Sequence, residues 1–322
     1  MRWRRRKGRV STVSSIVESS ANAALEATIT AEPFSRLEAE ATAINASGPL
    51  SVSNVAAAIS PIRCSTNLAN SMEGCHANYP GGCNYSQHPG YDAYLNALKN
   101  LLINPGSPAV GTTLTRSDFL NLEQSTLPLG LNGFNHATQK EALRSLGEGQ
   151  VRKFMGVLYY GFPSNEGNGE ACNCMLTTND AVDFHIGIGF GPIPVSQVVV
   201  NQLRNGADIR GHQFDAVRSR LEQTSAVVEI TPHYRAQLKP GWTLTRLQHA
   251  IGRQVLVFGQ LLLDNAHLNR GDNCSFPNHD TQKCWRFSAW EVHPVTAFYV
   301  CTAQSPCSLN AATGWTRLEN LN

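Results

Sequence analysis

The sequence predicts an α+β, mainly β protein: a five-stranded barrel in the order β-β-β-α-β-β, preceded by a small helical region. Three observations carry this. Short runs rich in β-branched and aromatic residues recur between residues 149 and 303, with one helical segment placed after the third run. The first and fourth runs share a glycine spacing, Gly149/Gly156 and Gly252/Gly259, of the kind that lets a strand bend where it serves two sheets. Residues 90–147, by contrast, read as helices.

The elements follow in order. Residues 1–60, dominated by Ala, Ser, Thr and Glu, are expected to be a disordered extension or leader. Residues 61–148 form a cysteine-bearing loop followed by helices. Tyr91, Tyr94, Leu95, Leu98, Leu101 and Leu102 keep helical spacing up to a stop before Pro105. Thr115-Arg-Ser-Asp118 opens a second helix around Phe119–Leu122. Asn135 is positioned to cap a third, His136–Leu146, ended by Gly147. Gly149–Tyr160 reads as the first strand. Asp183–Phe190 is the second, and its alternation of Phe184, Ile186, Ile188 and Phe190 with Asp183, His185, Gly187 and Gly189 predicts a half-buried strand. Ser225–Thr231 is the third. A helix over Trp242–Ile251 with Thr243 as N-cap precedes the fourth strand, Gly252–Leu263. Trp285–Cys301 is one long strand or two meeting at Pro294. Residues 149–303 thus make the barrel and 304–322 a C-terminal tail.

Composition narrows the function classes. The chain has 322 residues, 42% hydrophobic and 16% charged, with a formal net charge of +2. Arg2, Arg4, Arg5, Arg6, Lys7 and Arg9 supply six positive charges, so the remainder is mildly acidic. That balance gives no global electrostatic drive toward nucleic acid. The nine cysteines include three close pairs set among Gly, Asn, Ser and Pro: Cys75 with Cys83, Cys274 with Cys284, and Cys301 with Cys307. They read as disulfides closing surface loops, and hence as a secreted or periplasmic protein. One cysteine must be left over, and the Cys172/Cys174 pair is the place to look for it. Met1–Arg9 has the basic character of a signal-peptide start, while Val10–Ala31 lacks a continuous apolar run. No run reaches the length needed to span a membrane.

The candidate site centres on Glu291 and His293, two apart and therefore on one face of a strand. Asp183 and His185 repeat that spacing on the second strand, and Glu229 lies on the third. Two imidazoles with two or three carboxylates suit a divalent metal ion, or a general base with an acid. Glu229, Glu291 and His293 are the candidate catalytic residues; Asp183, His185 and His293 are the candidate metal ligands. Gly187 and Gly189 would leave room for a ligand to approach beside His185. Arg152, Arg235 and Trp290 join His185 as candidate ligand contacts. The plainer alternative is that Glu291 and His293 satisfy one another as a structural pair. Asp264 and His267 have a spacing that can hold a metal on a turn, but a polar loop capped by Asp264 is the more ordinary expectation. His233, Tyr234 and Arg235 after Pro232 read as a helix start with an exposed face. No Gly-x-Ser-x-Gly elbow, Walker loop or dinucleotide-binding glycine fingerprint is present.

The element order of residues 149–303 resembles oligonucleotide/oligosaccharide-binding (OB) folds and, more loosely, the barrel of staphylococcal-nuclease-like proteins. Residues 64–322, with their Trp-Glu-x-His-Pro-Val ending, resemble secreted bacterial proteins of unassigned function. The OB resemblance implies a binding module for an extended polar ligand, a glycan or single-stranded nucleic acid. The competing expectation is a metal-dependent hydrolase, most concretely a phosphodiesterase or nuclease. For that chemistry Arg152, Arg235, Arg253 and Arg286 are available to offset phosphate charge. The nuclease family's arginine and paired-acid motif is not found, so its catalytic residues do not transfer.

Overall fold

The computed structural model describes residues 93–100, 113–130, 136–164, 169–309 and 313–322. Within them lies a seven-stranded mixed sheet whose hydrogen bonds ring through five strands. The ring strands are β2 (Val151–Pro163), β3 (Phe184–Gly189), β4 (Ser225–Ile230), β5 (Gln254–Leu263) and β6 (Trp290–Cys301). Two short strands flank them: β1 (Thr113–Leu114) runs parallel to β2, and β7 (Trp315–Arg317) pairs with β6. The segment expected to be a tail therefore contributes a strand. Trp285–Ala289 lies outside β6, and Arg286 instead bridges to Asn273.

The ring closes through β2. Its first half pairs with β5 and its second half with β3, and Val157 takes part in both ladders. Gly156 and Gly259 mark close approaches of strand backbone to strand backbone. A side chain on Gly156 would run into the Gly189 carbonyl, and one on Gly259 into the Pro294 carbonyl. β6 continues as one strand through Pro294, which falls where its register with β5 shifts around Gly259. A proline lacks the ladder donor, so it is tolerated at such an irregularity.

Helices pack around the sheet. α1 is Ala93–Lys99 and α2 is Arg116–Thr126, followed by a 3-10 turn at His136–Gln139 and α3, Lys140–Ser145. Thr115 and Asp118 form a reciprocal capping box that starts α2. From α2 the buried Glu123 accepts hydrogen bonds from Ser288 Oγ (2.7 Å), Asn273 Nδ2 (2.9 Å) and the Ala289 amide (2.5 Å). Trp290 Nε1 donates to Thr126 Oγ1 at 2.8 Å. These bonds fix the start of β6 and hence the position of Glu291 and His293.

Two helices that the sequence pattern did not signal, α4 (Gln197–Arg204) and α5 (Asp215–Gln223), lie between β3 and β4. α6 (Pro232–Leu238) starts on the Thr231 cap, and α7 (Leu244–Ala250) on the expected Thr243 cap. α6 does not present an exposed face at its start, because His233 and Arg235 are buried. The main core joins Phe154, Leu158, Ile186, Ile188, Val228, Val257, Val292 and Phe298 to the helices. A smaller cluster of Met155, Leu256, Phe258, Tyr299 and Trp315 lies beside the Cys301–Cys307 disulfide.

A further expectation is overturned by β3. β3 is not half-buried: all six of its residues are buried, as are all six of β4. The space beside Gly187 and Gly189 is taken by the rings of Tyr160 and Tyr159, which a side chain at either glycine would strike. These glycines admit the protein's own tyrosines, not a ligand.

The Cys274–Cys284 and Cys301–Cys307 disulfides form as the spacing predicts. Cys174 is also disulfide-bonded, and Cys172 is the free thiol among the described residues. The third expected bond pairs Cys75 with Cys83. Cys75 and Cys83 both lie outside the described residues, as does the 1–60 extension. No helix among the described residues is long and apolar enough to cross a membrane.

The C-terminus is tied down by Glu319, which accepts from Lys239 Nζ at 2.9 Å and Trp242 Nε1 at 2.7 Å. Burial alone would raise this carboxyl, but the two donors outweigh it and hold it below its ordinary value. A lowered acid contributes stability that is present above its unfolded pKa, about 4.3, and lost as pH falls through the folded value. Glu319→Gln should therefore be less stable than wild type at pH 7, with the gap shrinking as pH approaches ~3. Denaturant unfolding across that range checks it, and a pH-independent gap would contradict it.

Candidate functional site

The five residues singled out on the strands converge. β3 and β4 pair antiparallel with His185 opposite Glu229, and β4 runs parallel to β6 with Val228 opposite Val292. Glu229 therefore sits between the two Asp/Glu-x-His pairs. His185 Nδ1 lies 2.9 Å from Glu229 Oε1. His293 Nδ1 lies 3.2 Å from Glu229 Oε2 and 3.0 Å from Glu291 Oε1. Arg286 Nη2 donates to the second Glu291 oxygen at 2.5 Å. Asp183, Glu229 and His293 each offer one ligand atom, and these atoms lie within 4.8 Å of one another.

This group is buried. Asp183, Glu291 and His293 are 0% exposed, and His185 and Glu229 are 6% exposed. The His185 ring stacks on Phe162 at 5.1 Å and meets Trp285 at 5.9 Å. Phe162 and Trp285 are both half-buried, so His185 lies beneath a partly exposed aromatic edge.

Burial sets the electrostatics. It lowers His185 to about 3, helped by Arg286, so that imidazole is neutral at ordinary pH. Burial, then the neighbouring Glu291, pushes Glu229 up to about 7. Burial acts on Glu291 in the same direction, but the Arg286 guanidinium and the His293 hydrogen bond outweigh it and bring it down to about 2. Asp183 is held well above the carboxylate range by burial and by Glu170 and Glu229.

Several polar atoms in the group have no hydrogen-bond partner: Asp183 Oδ1, His185 Nε2 and His293 Nε2. A neutral imidazole carries one N–H and one lone pair. With its N–H directed at a carboxylate through Nδ1, each ring is left with a bare Nε2. Histidines that ligate metals are held by a carboxylate in this way. An unpaired buried polar atom costs about 1–3 kcal/mol, so three in one place call for a reason.

Other candidates fall elsewhere. Arg152 is partly exposed and donates to Gln150 Oε1 and its neighbour's carbonyl. Trp290 is fully buried and bonded to Thr126. Arg235 donates to the Val182 carbonyl at 2.7 Å and covers the Phe184 ring, bracing the approach to β3. Asp264 caps the turn Asn265–His267 and pairs with Lys99, while His267 turns to Asp272 at 3.1 Å; the two do not share a ligand position. The cleft lined by Arg116, Gln223, His279 and Phe287 includes none of the converging residues.

Sequence reasoning missed Arg286 as the partner of Glu291, and missed Glu170 and Cys172 beside Asp183. Glu170 Oε2 is 3.3 Å from the Cys172 thiol, which is 3.9 Å from Asp183 Oδ2. The one available signal was that an odd cysteine must be left over.

The Arg286–Glu291 pair is buried on both sides. Removing one partner strands the other, at a cost of about 3–5 kcal/mol, whereas replacing both with apolar groups avoids that penalty. Arg286→Met should destabilise by roughly that amount, and Arg286→Met/Glu291→Leu by less than the single change. Equal or additive losses in denaturant unfolding would contradict the coupling.

No protein-family model, curated protein or solved structure matches this chain, so its function is read from the cluster itself.

Proposed function

We propose that the five-strand ring is an OB-like barrel whose interior edge holds a divalent metal ion, and that the protein is an exported metal-dependent hydrolase. The observation that carries this reading is the convergence of Asp183, Glu229 and His293 within 4.8 Å, with Asp183 Oδ1 and the histidine Nε2 atoms unpartnered. The strand order β2-β3-β4-β6-β5, closed by β2–β5 and with β4 and β6 parallel, supports the OB-like assignment. The two disulfides fit an oxidising compartment.

Asp183, Glu229 and His293 are the ligands in this reading. A site with three protein ligands leaves a position for water, whose pKa a bound metal ion lowers enough to make hydroxide near neutral pH. Glu291 orients His293, and Arg286 holds Glu291 ionised for that task. His185, neutral and beneath the aromatic edge of Phe162 and Trp285, is placed to hydrogen-bond a substrate. A phosphodiester is the most concrete substrate class. An extended glycan or single-stranded nucleic acid along the outside of the barrel fits less well, because β3 and β4 have no exposed residue.

Protein purified without chelators should contain a divalent metal, and should hydrolyse bis(p-nitrophenyl) phosphate only when loaded. His293→Ala and Asp183→Asn should each weaken metal affinity by more than ~100-fold, beyond the loss from a residue that merely orients a ligand. Metal analysis and a competition titration read this. Protein that binds no metal would defeat the metal reading, and a loaded protein inert toward the diester would defeat the phosphodiesterase assignment.

A further inference from the structure

We propose that Glu170, Cys172 and Asp183 form a second cation position, so that Asp183 bridges two thiophilic divalent ions, zinc being the best chemical match. This rests on the metal-centre reading of Asp183, Glu229 and His293.

The first support is the state of Cys172. Every other described cysteine is disulfide-bonded, including Cys174 two residues away, yet Cys172 remains a free thiol with 2% exposure. The second is geometry. One atom from each of Glu170, Cys172 and Asp183 lies within 4.8 Å of the others. The individual separations of 3.3 and 3.9 Å bracket the ~3.4–3.8 Å between ligands of a tetrahedral zinc ion.

The third support is a set of unpartnered acceptors, one of them on Asn173, which is outside the acids and the thiol. Asp183 Oδ1 and Asn173 Oδ1 are acceptors on fully buried side chains, and neither receives a donor. Asn173 belongs to the same turn as Cys172, Ala171–Asn173, and spends its Nδ2 on Asp183 at 2.9 Å. Buried acceptors without donors, on side chains that adjoin Cys172 in sequence or in space, mark a place for a cation.

The surroundings also hold the ligands in place. Ser164 Oγ donates to Glu170 Oε1 at 3.1 Å while the other oxygen faces the thiol. Asn100 Nδ2 donates to the Cys172 carbonyl at 2.9 Å. Glu170 is the most open of the three, with a side chain 16% exposed; its Oε2 lies 4.0 Å from Lys99 Nζ, which is bonded to Asp264 at 3.1 Å. When the cation binds, the thiol proton leaves to solvent and the thiolate becomes a ligand. Thiolate selects zinc over magnesium or calcium. A bridging carboxylate between two ions is the arrangement that can steady both the attacking and the leaving oxygen in hydrolysis.

Cobalt(II), which reports its ligands by absorption, provides the test on the full, oxidised chain after metal stripping. Wild type should take up about two equivalents and show visible ligand-field bands with a near-ultraviolet thiolate-to-cobalt charge-transfer band. Cys172→Ser should lose the charge-transfer band and one equivalent while keeping ligand-field absorption. His293→Ala should lose one equivalent and keep the charge-transfer band. Wild type with no thiolate band, or Cys172→Ser binding as much cobalt as wild type, would overturn the second position alone. No cobalt binding at all would overturn both positions. Alkylation of Cys172 in wild type gives a check that needs no variant: zinc should slow it about tenfold or more, and an unchanged rate would count against the proposal.

Discussion

Burying Glu229 between two imidazoles is the most demanding thing this fold does. Asp183, Glu229 and Glu291 meet in a region without bulk water, and the permanent cation hydrogen-bonded to them among the described residues is Arg286. Isolated buried carboxylates cost several kcal/mol each unless they are paired, protonated or bound to metal. Arg286 settles Glu291, and Glu291 in turn fixes His293. Asp183 and Glu229 feel the buried Lys99 ammonium only at a distance and without a hydrogen bond to it, and are left to be neutralised chiefly by protons or by a bound cation. The rest of the architecture serves to hold that arrangement. α2 anchors the start of β6 through Glu123 and Thr126, and Tyr159 and Tyr160 wall off β3 by packing into the space that Gly187 and Gly189 leave.

The polar cluster also explains the shape of the ring. Cross-strand partners in an antiparallel pair stand side by side, so His185 and Glu229 meet through register alone. The third partner arrives through a parallel contact, β4 with β6, which brings two strands of distant sequence together. Gly156 and Gly259 let β2 and β5 approach their neighbours closely enough for the circuit of hydrogen bonds to close. Glu229 thus faces two histidines because β4 is flanked by β3 on one side and β6 on the other.

Much of this was legible in the sequence, for identifiable reasons. Period-two spacing placed Asp183 with His185 and Glu291 with His293, and strand order placed Glu229 between them. The capping residues Thr115 and Thr243 announced their helices. Burial of β3 was not legible, because the rings that cover it come from β2, a strand that alternation within β3 says nothing about. α4 was hidden by Val198–Val200, a β-branched run of low helix propensity, although Ser196 caps it. Arg286, Glu170 and Cys172 reach the cluster from loops and turns, whose position follows from tertiary packing and leaves no periodic trace.

Anomalous diffraction from crystals grown with zinc tests the central claim most directly. The account predicts a peak at the zinc edge within bonding distance of Asp183, Glu229 and His293, with Glu291 still bonded to His293 behind it. An anomalous map with no peak there, and Asp183 and Glu229 bonded only to protein or water, would show that protons neutralise this cluster and that it is a structural core.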